Sequence, residues 1–275
     1  MTPFRASAPI TERWQHFDLQ LADGVATVTL DRPEKLNALT FDSYADLRDL
    51  LAEVPHRGDI RALVITGRGR GFCSGGDVEE IIGELQRMRP NELLEFTRMT
   101  GSVVRALREC PVPVIAAVNG IAAGAGSVIA LASDLRVVGR SGSFAFLFIR
   151  VGLSGADMGS AYLLPRVVGL GRASELLLLG EKVDADRALA IGLANEVVED
   201  EALADRAQEL ARRFADGPAL AYANTKLLIS RELDMDLGGA IELEAMTQAL
   251  LMGSEDHTEF YKAFKEGRDP RWSGR

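Results

Sequence analysis

The chain has 275 residues, with 31 Lys and Arg against 40 Asp and Glu, a formal charge of −9 and a pI near 5.0. Hydrophobic residues make up 47% and charged residues 26%, which supplies enough apolar surface to offset chain entropy and excludes a disordered or fibrous protein. The acidic balance argues against a nucleic-acid partner, which needs clustered Lys and Arg, but leaves room for a local positive site for an anionic small molecule.

Length allows one large domain or two small ones. Residues 1–13 predict a loose arm without the apolar core of a signal peptide. Residues 16–33 alternate with period two around Asp23-Gly24, the turn dipeptide of a hairpin. Thr40 to Ala52 reads as a helix with Thr40 as its cap. Ile60 to Thr66 reads as a buried strand running into a glycine cluster, Gly67 to Asp77. Residues 77–109 are charged and helical in pattern, interrupted at Pro90. Pro111 to Ala132 has the length of a membrane span, but Pro111, Pro113, Asn119 and the later glycines divide it into a strand, a turn and a helix start. Leu135 to Val138 is another strand. Strand, glycine turn and helix recur, which predicts an α/β core with parallel crossovers. From Asp157 onward strand signals almost vanish, and the segments from Ala173 to Gly267 read as apolar amphipathic helices that cover the core or meet another subunit.

Cys73 and Cys110 make no CxxC pair and no disulfide framework, which fits a reducing, cytoplasmic setting. His16, His56 and His257 form no metal motif and read as solvated surface residues. Gly152 to Ala156 nearly matches a G-x-S-x-G elbow but lacks its last glycine. Cys73 reads as a packing residue. No metal is expected.

Two glycine runs each follow an apolar strand and precede a helix. Gly67–Asp77 has no Gly-Lys-Ser/Thr for a P-loop, so it is a phosphate cradle of another kind, an oxyanion hole or a plain tight turn. A second run, Asn119 to Gly126, lets backbone N–H groups from both converge on one carbonyl, which favours the oxyanion hole. Among the acids, Asp134 reads as a turn or capping residue. Asp77 reads as the cap of the next helix. Asp157, in a glycine-rich loop before an apolar helix, is either an N-cap or a carboxylate whose apolar neighbours raise its pKa into a useful range.

The segments Arg32–Ala38, Gly71–Asp77, Ala116–Gly126 and Ser133-Asp134, in this order, closely resemble the crotonase (enoyl-CoA hydratase/isomerase) superfamily, and the likeness covers nearly the whole chain. The resemblance implies an α/β spiral of ββα turns with a C-terminal all-helical region: a core at 14–200 holding the acyl-CoA site, and a trimerisation region at 201–275. It implies an acyl-CoA thioester substrate, no cofactor beyond the coenzyme A that the substrate carries, and a homotrimer or a hexamer built as a dimer of trimers, with neither nucleic acid nor membrane as partner. By position, the N–H groups of Ser74 and Ala125 would hold an enolate oxygen. Lys35, Leu36 and Ala38 would lie along the adenine and pantetheine. Ser74, Gly75, Gly76 and Asp77 would line the thioester, with Gly124 and Phe148 beside it.

The two glutamates of the family's hydratases are replaced here by Val128 and Phe148, whereas Asp157 resembles the aspartate of dienoyl-CoA isomerases and naphthoate synthases. The resulting expectation is an enzyme of fatty acid metabolism, lyase or isomerase, passing through an oxyanion-stabilised enolate with Asp157 as acid and base. Double-bond isomerisation, C–C cleavage of a CoA ester and non-catalytic acyl-CoA binding are the alternatives. The phosphates of coenzyme A need local cations, for which Lys35, Arg68, Arg70, Lys262, Lys265 and Arg268 are the candidates, the last three from a neighbouring subunit.

Overall fold

The computed structural model describes residues 10–11 and 13–274, so most of the arm predicted at 1–13 lies outside the described residues. The hairpin forms where it is predicted, β1 (Phe17–Ala22) against β2 (Val25–Leu30). Asp23 and Gly24 take φ of 50° and 77°, the left-handed pair that a tight Asp-Gly turn requires. α1 (Phe41–Glu53) starts from a reciprocal cap. Thr40 Oγ1 accepts from the Ser43 N–H at 3.1 Å, and Ser43 Oγ accepts from the Thr40 N–H at 3.2 Å.

The chain then winds in turns that each give one strand to each of two sheets before a helix. β3 (Ala62–Gly67) leads to β4 (Gly71–Cys73), a π-turn at 78–82, the short α2 (Gly83–Leu85) and α3 (Pro90–Glu109). β5 (Val114–Val118) leads to β6 (Ile121–Ala123) and α4 (Ala125–Ala132). β7 (Leu135–Gly139) leads to β8 (Ser143–Ala145), α5 (Ser160–Val168) and α6 (Leu170–Leu179). β9 (Lys182–Asp184), α7 (Ala185–Ala190) and β10 (Glu196–Val198) complete the sheets. α8 (Leu203–Ala215), α9 (Ala219–Glu232), α10 (Leu237–Met252) and α11 (Glu255–Glu266) follow.

The first sheet has the order β1-β2-β3-β5-β7-β10 and is parallel from β2 onward. The second has the order β4-β6-β8-β9, with β9 antiparallel. Two differences from the sequence reading stand out. The second sheet is made of three-residue strands, two inside the glycine runs, one at 143–145 after β7 and one after Asp157. Pro90 begins α3 rather than interrupting a helix, because at the first helical position its missing N–H costs nothing.

Alternation along the strands feeds two apolar layers. Leu63, Ile65, Ala116 and Val118 face the main core with α1, α3 and α4. Ala62, Val64, Ile115, Ala117 and Val137 face Leu203, Ala207, Ala211 and Ala215 of α8. A division at 200/201 assigns α8 to the helical region, yet it lies on the first sheet, where its small residues every fourth position let the helix approach closely. Among the described residues no helix is long and apolar enough to cross a membrane, and Pro111–Ala132 is the strand, turn and helix that its glycines and prolines predict.

Candidate active site

The two glycine runs meet. Gly75 has φ of 99°, and a β-carbon there would stand 3.0 Å from the Ala123 carbonyl and 3.5 Å from the Ala125 nitrogen. At Gly126 a β-carbon would overlap the Cys73 carbonyl, so only glycine permits this approach. Ala125 is the first residue of α4, so its N–H has no acceptor within the helix. The turn at 74–76 is thus held against the open N-terminus of α4, where free N–H groups and the helix dipole favour negative charge.

Ser74 does not supply the other donor. Its N–H donates to the Leu36 carbonyl at 2.9 Å and its hydroxyl to the Lys35 carbonyl at 3.1 Å. Ser74 instead staples the 35–36 loop to the turn. Gly76 is different. Its neighbours bridge to Leu39, with Gly75 O accepting from Leu39 N and Asp77 N donating to Leu39 O. The Gly76 N–H has no acceptor among the described residues. The free pair beside the second glycine run is therefore Gly76 and Ala125. No motif letter distinguishes Ser74 from Gly76; the difference follows from the peptide flip at Gly75.

Two amides, one buried and one half-buried, lock the loops on either side, and the sequence reading missed both roles. Asn37, 1% exposed, donates to the Arg68 and Gly71 carbonyls at 3.0 and 2.7 Å and accepts from Arg32 N–H at 2.9 Å. Asn119 donates to the Gly67 and Gly69 carbonyls, each at 2.8 Å. Leu36 and Asn37 both sit at positive φ, which bends the segment holding Lys35, Leu36 and Ala38. Asp77 is the predicted cap: its Oδ1 accepts from Glu79 and Glu80 N–H at 2.9 and 3.1 Å. Those backbone bonds, with Lys35 and Arg32 nearby, hold its carboxyl below the usual carboxylate range.

Asp157 does not cap α5. The capping position is Gly159, which offers no side-chain bond. The half-buried Asp157 carboxylate accepts only from the Met158 N–H, at 2.8 Å. Burial raises it above the ordinary aspartate range, partly opposed by that bond. Its loop is bent by positive φ at Gly152, Met158 and Gly159. Tyr44 on α1, 3% exposed, stands beside the glycine turn and within the electrostatic reach of this carboxylate. Its hydroxyl is 3.8 Å from the β-carbon position of Gly76, and burial, with the neighbouring Cys73 and Asp157, pushes its phenol far above the usual range. In sequence Tyr44 looks like one more apolar-face residue of α1. Val128 is fully buried in α4, and Phe148 packs partly buried against the main core. Cys73 is sealed, with its thiol pushed up to about 12 by burial, which leaves no thiolate nucleophile.

Of the candidate cations, Lys35 pairs with Glu79 at 2.7 Å, and Arg268 pairs with Glu259 and Glu266, each at 2.6 Å. Arg68 pairs with Asp31 and Asp18. Arg70, Lys262 and Lys265 are exposed and make no ion pair among the described residues. Asp134 ties the start of β5 to α9, accepting from Val114 N–H at 2.8 Å and pairing with Lys226 at 2.6 Å. Among the described residues no cluster of three His, Cys, Asp or Glu side chains suits a metal ion.

The family model for enoyl-CoA hydratase/isomerase matches residues 20–275. The 1,2-epoxyphenylacetyl-CoA isomerase of Escherichia coli (strain K12) is 39% identical over 252 residues, which span 92% of this chain and 96% of that protein. The (E)-benzylidenesuccinyl-CoA hydratase of Thauera aromatica is 36% identical over 258 residues, 93% of this chain and 98% of that one. The crystal structure of a provisionally named enoyl-CoA hydratase from Streptomyces coelicolor A3(2) superposes with a TM-score of 0.97 at 62% identity, covering 100% of both chains. Matched along nearly its whole length in sequence and in fold, the chain belongs to the enoyl-CoA hydratase/isomerase family, the crotonase superfamily that its motifs resemble.

Proposed function

We propose that this family enzyme isomerises an acyl-CoA thioester through an enolate, with Asp157 moving the proton and the Gly76 and Ala125 N–H groups holding the oxygen. The observation that carries the reading is Asp157: a half-buried carboxylate of raised pKa, in a bent loop, released from any capping duty. A carboxylate of this kind takes a proton from the carbon next to the thioester. Two converging N–H groups stabilise the charge that appears on the carbonyl oxygen, which is where such donors contribute most. Water activation by a pair of glutamates is disfavoured, because Val128 and Phe148 have no ionisable group to take or give a proton. Returning the same proton to a different carbon needs only one carboxylate, and that is isomerisation. Among the relatives, the names of both an isomerase and a hydratase occur, so the family alone does not select between them.

In this reading Lys35, Leu36, Ala38, Gly75, Asp77, Gly124 and Phe148 line the thioester and its pantetheine arm. Lys265 meets the nucleotide from a neighbouring subunit, and no further cofactor takes part. The C-terminal helices build a homotrimer, alone or paired into a hexamer. Their exposed Leu237, Ile241, Met246, Leu250 and Phe264 form more apolar surface than a lone soluble chain carries well. A cytoplasmic setting fits the two unpaired, buried cysteines. The deciding experiment incubates the purified protein with 3-hexenoyl-CoA and with crotonyl-CoA and follows both by mass spectrometry. Migration of the double bond without gain of water supports isomerisation. Rapid hydration of crotonyl-CoA refutes it. Tight binding with neither reaction turns the reading toward an acyl-CoA-binding protein.

A further inference from the structure

We propose that the Tyr44 hydroxyl is a specificity-determining donor of the acyl pocket, selecting acyl groups that carry an oxygen beside the thioester α-carbon; the inference rests on the acyl-thioester reading of the site. Tyr44 is built into α1 as a core residue. Its ring is buried and meets Phe96 edge-on with centroids 6.1 Å apart. Its hydroxyl is not sealed. It stands 3.8 Å from the β-carbon position of Gly76 and close enough to Asp157 for that carboxylate to act on its ionisation. Among the described residues it has no hydrogen-bond partner, and it is not one of the buried polar atoms sealed from solvent. A buried phenol normally finds an acceptor within the protein. This one keeps its donor free beside Gly76, within the electrostatic reach of Asp157.

The chemistry narrows what it can do. Burial and the neighbouring Cys73 and Asp157 keep the phenol protonated at any working pH, so it neither takes nor releases a proton and acts as a donor. The thioester oxygen already has two donors in Gly76 and Ala125. Further toward Asp157 lie the α- and β-carbons of a bound acyl group. An oxygen there, as hydroxyl, keto or epoxide, accepts from Tyr44, while an all-carbon acyl group leaves the hydroxyl unpaired once water is displaced. A pocket built to hydrogen-bond a substrate oxygen discriminates far more strongly than one that only measures size.

The test compares affinities of 3-hydroxybutyryl-CoA and butyryl-CoA for the wild-type protein and Tyr44→Phe by calorimetry. The Phe variant keeps the ring and its contact with Phe96. The wild type is expected to prefer the hydroxylated ester by roughly tenfold or more, the scale of one hydrogen bond to a buried partner. Tyr44→Phe should abolish that preference while leaving butyryl-CoA affinity unchanged or improved. Equal affinities in the wild type, or a preference that survives in Tyr44→Phe, overturn the inference while the acyl-thioester reading stands. Failure of both esters to bind overturns the acyl-thioester reading and this inference with it.

Discussion

Gly75→Ala tests the meeting of the two glycine turns most directly. The residue has φ of 99°, beyond the left-handed helical region that L-residues visit, so alanine there carries strain of about 1–3 kcal/mol. The new methyl would also stand 3.0 Å from the Ala123 carbonyl. The methyl is fixed rigidly to the turn's main chain and the carbonyl belongs to β6, so neither can withdraw freely, and overpacking of this kind costs about 1–3 kcal/mol more. If the turn holds its place, the folded state loses roughly 4 kcal/mol, with a range of about 2–6 from the two contributions together. If it yields, Gly76 moves away from Ala125, and a misplacement of about 1 Å costs on the order of 10²-fold in rate.

Two assays separate these outcomes: urea unfolding, and exchange of the α-protons of butyryl-CoA in heavy water, which reports enolate formation without requiring the physiological substrate. Gly24→Ala is the control. It has φ of 77° and only ordinary contacts with the Arg61 side chain, so it should cost ~1–2 kcal/mol and leave exchange untouched. A Gly75→Ala protein with parental stability and parental exchange would refute the convergence of the two turns.

Asp157→Asn should leave acyl-CoA affinity intact while α-proton exchange falls by roughly 10²-fold or more, the scale of general acid–base catalysis. Because burial raises the carboxyl in the folded state, ionised Asp157 destabilises the fold above its folded pKa and has no such effect below its unfolded pKa. The Asn variant should therefore be more stable than the parent at neutral pH, with the gain vanishing on acidification, as thermal melts across pH would report. Asn37→Ala removes three hydrogen bonds of a buried side chain and should cost about 2–4 kcal/mol, read from the denaturation midpoint. Light scattering should give a mass well above the 29.7 kDa of one chain, and Leu250→Glu should lower it. Replacing Arg70, Lys262 and Lys265 together by Ala should weaken coenzyme A binding and flatten its salt dependence in titration calorimetry.

The hairpin and α1 are legible in the sequence because their signals are local: Asp23-Gly24 encodes the turn, and Thr40 with Ser43 encodes the cap. The second sheet is not. β4, β6 and β8 have three residues each, too few for a period, and each starts at or just after a glycine (Gly71, Gly120, Gly142) that reads as turn. At the site, Asp157 is legible as an acid amid small and apolar neighbours, but whether it caps α5 depends on where that helix begins. Ser74 and Gly76 are separated by one glycine whose φ reverses the direction of the peptide, and that reversal lives in backbone geometry rather than in residue type. Tyr44 is hidden for the opposite reason. Its ring obeys the helical pattern of α1, and only the last atom departs from it.

The position of α8 on the first sheet bears on how the chain is made. Ala62, Val64, Ile115, Ala117 and Val137 are covered by Leu203, Ala207, Ala211 and Ala215, so the strands emerge from the ribosome long before their cover. Until residue 215 has cleared the exit tunnel, the nascent chain carries an uncovered, parallel, aliphatic sheet face, the kind of surface that recruits chaperones or sticks to another nascent chain. A truncation ending at residue 200 should therefore aggregate even with every strand present. Residues 203–215, which hold none of the candidate active-site residues, decide whether the protein leaves the ribosome soluble.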